Sequence, residues 1–200
     1  MLTLEDYGTI FLLVSFLGAL LISSPALAFI LPPRTGEQFS ELYVLGPNRM
    51  AEDYPFNVKE NETYRLYLGV GNHMKSSAYY LLYVKLRNRT EALPNITAGT
   101  PSPLPALHQY RFFLEDGKVW ERPINFSLQG LSFHNGICYL RGLIFDGREI
   151  PANKQITSDS EINGYPMELF FELWIYDPES HSFTFHKRFV GIWLNMTIQD

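Results

Sequence analysis

Tyr64-Arg65-Leu66-Tyr67-Leu68-Gly69-Val70 is the stretch that decides the fold class. Tyrosine, leucine and valine alternate in it with arginine, tyrosine and glycine. Because successive side chains of a strand point to opposite faces, this alternation indicates a β-strand with one buried face. Residues 78–87 read Ala-Tyr-Tyr-Leu-Leu-Tyr-Val-Lys-Leu-Arg and are apolar on nearly both faces. They predict a central strand.

Other strands are predicted on both sides of this pair, separated by turn signals such as Gly46-Pro47-Asn48 and Asp177-Pro178-Glu179-Ser180. These predicted strands span residues 39–45, 109–114, 118–120, 124–128, 137–145, 167–176 and 183–198. The polar stretches 57–62, 92–105 and 151–164 predict turns or exposed loops, the second because its prolines cannot join a ladder. No window after residue 33 has a helical period. We therefore expect an all-β domain, an immunoglobulin-like β-sandwich of seven to nine strands.

The composition supports a folded domain and excludes some functions. The 200 residues include 15 Phe, 12 Tyr and 3 Trp, and charged residues make up 18%. Aromatic side chains pack well on pleated sheets, and such a composition is not that of a disordered chain. The net charge is −5 and the basic residues are scattered, so we expect no nucleic-acid partner.

An apolar run without any charge extends from Tyr7 to Pro33. About 20 apolar residues in a helix cross the hydrocarbon core of a bilayer, so we expect a single transmembrane helix over residues 9–31. The expected organisation is a short cytoplasmic segment 1–8, this helix, a linker 32–37 and an extracytoplasmic sandwich 38–198 with a loop-rich insertion at about 98–164. A cleaved signal peptide ending at Ala26-Leu27-Ala28 is the alternative.

Five N-x-S/T sequons set the expected orientation. A single sequon is weak evidence, but five in one small domain favour a glycoprotein whose carboxy-terminal domain faces outward from the cell membrane. We expect all five asparagines to be exposed. They are Asn61, Asn88, Asn95, Asn125 and Asn195.

The chain resembles an archaeal family of membrane proteins that is defined as a domain of unknown function and has an immunoglobulin-like extracytoplasmic region. The resemblance lies in Phe39–Asn48, Ala51–Pro55, Val58–Thr63, Gly69–His73, Trp174 and Trp193–Thr197. Members often carry several amino-terminal membrane helices, whereas this chain has one apolar run. The family has no established activity, so the resemblance implies fold and location without chemistry.

No catalytic or metal-binding constellation is apparent, and we expect no enzyme activity and no cofactor. His181 and His186 are an odd number of residues apart and would lie on opposite faces of a strand. Cys138 lacks the closely following His and Met of a copper site. It is the single cysteine and lies in an apolar run, so we expect a buried thiol rather than an interchain bridge.

Two sets of residues are candidates for interactions. Ser15, Gly18, Ala19 and Ser23 place small side chains on one face of the predicted helix, which permits packing against another membrane helix. Tyr79, Tyr80, Tyr83 and Trp120 are candidates for a carbohydrate- or peptide-binding face, or else for the core. The leading hypothesis is an accessory or interaction subunit of a membrane or cell-envelope complex, in contact with the bilayer and with other membrane-protein subunits. A carbohydrate- or peptide-binding module is the alternative.

Overall fold

The computed structural model describes residues 7–8, 10–20 and 36–197. Contacts divide the chain into two units, Met1–Glu37 and Gln38–Asp200. In the first unit, residues 7–8 and 10–20 are helical. No helix among the described residues is long and apolar enough to cross a membrane. Most of the predicted span 9–31, including Ser23 of the small-residue face, lies outside the described residues.

The second unit consists of ten strands in two five-stranded sheets, a β-sandwich-like arrangement. The strands are Phe39–Leu45 (β1), Asn57–Val58 (β2), Tyr64–His73 (β3), Ala78–Asn88 (β4), His108–Leu114 (β5), Val119–His134 (β6), Ile137–Phe145 (β7), Arg148–Thr157 (β8), Tyr165–Asp177 (β9) and Ser182–Met196 (β10). The first sheet has the order β1-β3-β6-β7-β8 and the second the order β2-β10-β9-β4-β5. Among these pairs only β2 and β10 run parallel.

The core contains the inward-facing side chains of both sheets. Alternate residues of β3 and β4, such as Leu66, Leu68 and Leu82, are fully buried, as the period-two pattern predicts. Cys138 is buried among them, and burial raises the pKa of its thiol to about 12, with Glu60 as a smaller cause. It is therefore protonated at neutral pH. The prediction of a buried thiol is confirmed.

The strand predicted at 118–120 and that predicted at 124–128 are one strand, β6. Pro123 lies between the two predicted segments. It pairs with Tyr67 of β3, whereas β7 pairs with β6 only from Phe126 onward. Pro123 therefore lies where one side of β6 is locally an edge, and a proline needs no hydrogen-bond partner there.

The loop prediction for 151–164 is wrong over its first half, because β8 continues to Thr157. Its sequence is polar because β8 is the last strand of the first sheet and alternates between exposed and half-buried residues. Pro151 lies opposite Gly142 at a register break, a position that an edge strand tolerates. The predicted turn 57–62 likewise contains the two-residue β2. The prediction of a loop at 92–105 is confirmed, since no named strand lies there.

Candidate binding surface

The outer face of the second sheet, which points away from the core, carries an open cluster of aromatic rings. Its members are Tyr79, Phe113, Trp174, Tyr176, Phe183 and Phe185, called here the aromatic face. Strand register brings them together, because Tyr79 pairs with Phe113, Phe183 with Tyr176 and Phe185 with Trp174. Four neighbouring strands thus contribute rings to one surface.

Contacts within the aromatic face are close. The rings of Tyr79 and Phe113 stack with centroids 4.2 Å apart and planes 9° apart. Tyr79 also lies 5.1 Å from Phe183, and Phe183 lies 5.5 Å from Tyr176, edge to face. Such pairs contribute about 0.5–1.5 kcal/mol each beyond the area they bury. The cluster is therefore held in a fixed arrangement while Phe113 remains 75% exposed.

Arg111 gives this surface a positive charge. Its guanidinium lies 5.7 Å from the centroid of the Phe183 ring, within the range of a cation–π contact. Arg111 is exposed, and no ion pair joins it to any carboxylate among the described residues. The aromatic face therefore presents an uncompensated cation beside apolar rings.

The rest of the same outer face is covered and carries charges in pairs. Nζ of Lys85 lies 2.8 Å from Oε2 of Glu172, and Nε of Arg87 lies 2.6 Å from Oε2 of Glu168. All four side chains are buried. We call this region the paired-charge half.

The loop 92–105 covers the paired-charge half and is bonded to it. The backbone N–H of Ser102 donates to Oε1 of Glu172, and Lys85 donates to the carbonyl of Ser102. The Ser102 hydroxyl donates to the carbonyl of Ala92, which joins the two ends of the loop. Residues Tyr165–Leu173 of β9 are buried on both faces, and the bond from Ser102 lies at Glu172 near the end of this stretch.

Of the four aromatic residues predicted as a binding face, two lie on the outer face and two do not. Tyr79 belongs to the aromatic face, and Tyr83 contacts Trp174 edge to face at 5.5 Å. Tyr80 is fully buried in the core, and Trp120 stacks on Phe112 at 4.2 Å between the sheets. Trp174, Tyr176, Phe183 and Phe185 were not singled out, although their alternation along β9 and β10 was a readable signal.

A serine–histidine pair inside the sandwich is a candidate for chemistry. Nε2 of His186 lies 2.9 Å from Oγ of Ser40, which is hydrogen-bonded to Tyr80 at 2.6 Å. Ser40 is 1% exposed, so no substrate can reach its hydroxyl. Burial and the charge of Arg188 lower the pKa of His186, which favours the neutral ring. The pair joins β1 to β10 across the two sheets and has a structural role.

The described residues include no group of three or more His, Cys, Asp or Glu side chains that could hold a metal ion. His181 is exposed in the turn before β10, while His186 lies in the interior network. A polar cleft of about 390 Å³ lies beside Arg89 and Asp159, but these two charges pair with each other.

The sequons are distributed away from the aromatic face. Asn61 lies in the turn before β3, and Asn95 lies in the loop over the paired-charge half; both are exposed. Asn125 faces outward from the first sheet, where Arg65 donates to it, and Asn88 ends β4. Both are half-buried. The expectation that all five are exposed is therefore confirmed at Asn61 and Asn95 only. It is plainly wrong at Asn195, which is 2% exposed and whose side-chain amide donates to Asn57 of β2.

Ser15, Gly18 and Ala19 of the small-residue face lie in the described helical residues, and a side chain added at Gly18 would meet nothing within 4 Å. The packing of this face against another membrane helix stays a prediction.

Comparison with known proteins identifies the family. No curated protein matches this chain in sequence. One chain in the crystal structure of the complex of zinc 2-glycoprotein and prolactin-inducible protein from human seminal plasma is 9% identical, with a TM-score of 0.38 over 82% of this chain and 100% of that chain. A β-glucosidase from Listeria innocua bound to glucose is 8% identical, with a TM-score of 0.37 over 80% of this chain.

At these TM-scores neither structural similarity indicates a function. The chain also spans only 16% of the length of the β-glucosidase. The family match is of another kind, because it covers more than half of the chain. Residues 33–162 match the family described as a domain of unknown function, DUF1616, and the chain belongs to that family.

Proposed function

We propose that this protein is a non-enzymatic interaction subunit of a membrane or cell-envelope complex, and that the aromatic face is where its β-domain contacts a partner protein. In this proposal the domain is an immunoglobulin-like sandwich outside the cell, and the apolar segment 9–31 is a single membrane anchor. The proposal extends to an archaeal source, to sugar on the accessible sequons and to helix packing through Ser15, Gly18, Ala19 and Ser23.

The exposure of the aromatic face carries the proposal. Contiguous apolar surface rimmed by polar residues is typical of interaction sites, and aromatic residues with an arginine are enriched at their energetic centres. Phe113 is 75% exposed although a half-buried ring lies beside it on β4. A partner that covered Phe113, Tyr79 and Phe183 would remove apolar area from water at about 25 cal/mol per Å².

Two further observations favour a protein partner at the cell surface. None of the five sequons lies on the aromatic face, so sugar on them would leave it open. The uncharged run from Tyr7 to Pro33 is long enough to anchor the chain in a bilayer.

A carbohydrate ligand is the competing hypothesis for the same surface. A sugar ring stacks on a flat aromatic face that is open to solvent. Here Tyr79 and Phe113 present their faces to each other, and Tyr176 and Phe183 meet edge to face. This arrangement leaves few free ring faces, so we favour a polypeptide.

Site-specific photocrosslinking tests the proposal. p-Benzoylphenylalanine at position 113 of the full chain in native membranes is expected to give a defined protein adduct. The matched control places it at Val119, which is 52% exposed on the first sheet. Equal adducts from both positions, or none from position 113, would contradict a partner on the aromatic face.

A further inference from the structure

We propose that the partner contributes an extended segment that pairs with the free edge of β5, continues the second sheet by one strand and packs against Phe113. This inference rests on the proposed function and names the mode of recognition. Main-chain hydrogen bonds would supply affinity, and side chains on alternate positions would supply selectivity.

The first observation is that β5 is the unprotected edge of the sandwich. It ends the second sheet, and β4 is the strand that pairs with it among the described residues. The sequence of β5, His-Gln-Tyr-Arg-Phe-Phe-Leu, contains no proline or glycine, and its pairing with β4 has no register break. Edges without such devices are templates for strand addition.

The other edges contrast with β5. Strand β8 carries Pro151, a register break and Lys154, whose Nζ pairs with Glu91 at 2.6 Å. Strand β1 lies against β10, where Arg188 donates to the carbonyl of Ser40. Strand β2 has only two residues. Natural sheets blunt their edges by these means. Among the described residues, β5 has no proline, no register break and no lysine, and its one arginine is Arg111.

The second observation is that the aromatic row of the outer face stops at this same edge. Phe183, Tyr79 and Phe113 follow one another across β10, β4 and β5. One face of the Phe113 ring contacts Tyr79, and nothing among the described residues stacks on the other. A strand added beside β5 would place a side chain about 5 Å from Phe113, the distance of a cross-strand pair. The free hydrogen-bonding edge of β5 and the unstacked face of the Phe113 ring therefore lie at the same place.

The third observation is the charge of Arg111. It lies two residues before Phe113 and so projects from the same face of β5. Without a carboxylate partner among the described residues, it complements an acidic side chain on the added strand. Because most neighbours in this sheet are antiparallel, we commit to antiparallel pairing. The recognised segment then carries an aromatic or apolar residue followed two positions later by Asp or Glu.

Binding of a short peptide to the full chain in detergent tests the inference. The probe is Thr-Val-Phe-Thr-Glu-Val-Thr labelled with a fluorophore, and its matched control has Lys in place of Glu. We expect the control to bind at least tenfold more weakly. Arg111→Glu should reverse that preference, and Phe113→Ser should weaken the probe about tenfold, whereas Val119→Ser on the first sheet should have no effect.

Backbone methylation separates strand pairing from nonspecific adhesion to rings. Two further probes are N-methylated at odd or at even positions, so that each blocks one hydrogen-bonding edge. Loss of binding by one of them and not the other supports strand addition. Equal binding of both, equal binding of the Glu and Lys probes, or self-association of the chain that Phe113→Ser abolishes would overturn the inference. If the probes fail but position 113 still crosslinks a partner, the proposed function stands and strand addition falls.

Discussion

The two halves of the outer face of the second sheet are built on the same strands and differ in what covers them. The paired-charge half lies under the loop 92–105, and each of its charges has an opposite charge within 3 Å. The aromatic face has no such cover, and its one cation, Arg111, is unpaired among the described residues. Burial demands compensation of charge, whereas exposure permits both a free cation and free apolar rings. The open half is therefore the one available to a partner.

The largest effect is expected from breaking the paired-charge half. Glu172→Leu should lower the free energy of unfolding by about 3–5 kcal/mol, because it leaves the buried ammonium of Lys85 without a counter-charge. Urea denaturation followed by circular dichroism measures the change. The double variant Lys85→Met with Glu172→Leu should recover most of the loss. A single variant as stable as the parent would show that the pair is not buried in solution.

A smaller loss is expected at Gly191, which lies opposite Phe170 in this half. A Cβ there would lie 2.5 Å from Oε1 of Glu168 and 2.9 Å from Cβ of Phe170. Gly191→Ala should therefore cost about 1–3 kcal/mol in the same denaturation experiment, as overpacking does. Gly136→Ala is not a suitable control because its φ is positive; Gly36→Ala, with nothing within 4 Å, should be neutral.

Acidification should also destabilise the domain through a histidine, His186, that lies in neither half. The pKa of His186 is lowered by burial and then by Arg188, with Ser40 and Tyr80 as its other neighbours. The unfolded state therefore binds more protons, and stability is present above the unfolded pKa of about 6.5 and is lost as pH falls below it.

Unfolding free energies measured between pH 7.5 and pH 5 check this sign. His186→Gln should reduce the slope, although His108, whose pKa burial also lowers, will retain part of it. Stability that rises toward pH 5 by way of His186 would contradict the assignment.

The smallest effect on folding is expected on the aromatic face. Phe113→Ser should change the unfolding free energy by less than about 1 kcal/mol, because the ring is 75% exposed and contributes one cross-strand contact. Thermal unfolding compares it with Val119→Ser. A loss like that of Glu172→Leu would mean that Phe113 belongs to the fold, and the contrast between the halves would disappear.

Much of the fold was readable from local pattern. Alternation over Tyr64–Val70 and the apolar run of β4 predict strands that the structure contains. Prediction from local pattern fails where contacts between distant parts of the chain outweigh that pattern. The polar residues of β8 form a strand because the edge of a sheet needs burial on one side only. At Asn195, a sequon in sequence is a buried amide in structure, because β2 adds beside β10.

The candidate surface was predicted only in part. Tyr79 and Tyr80 are neighbours of the same type, yet one lies on the aromatic face and the other in the core, because adjacent residues of a strand face opposite ways. Periodicity indicates two faces but not which one is covered. The tertiary structure decides this, because Leu82 and Val84 lie in the core between the sheets and Tyr79 therefore lies on the opposite face of β4.

By itself, the sequence determined an all-β domain with a central aromatic-rich strand, a buried thiol and an uncharged amino-terminal run, since these follow from residue type and period. Only the tertiary structure decided that Lys85 meets Glu172, that Phe113 ends a row of rings and that β5 is a free edge. The physical reason is that these features arise from strand register and sheet order. Both are set by contacts between residues far apart in the chain, and no local pattern encodes them.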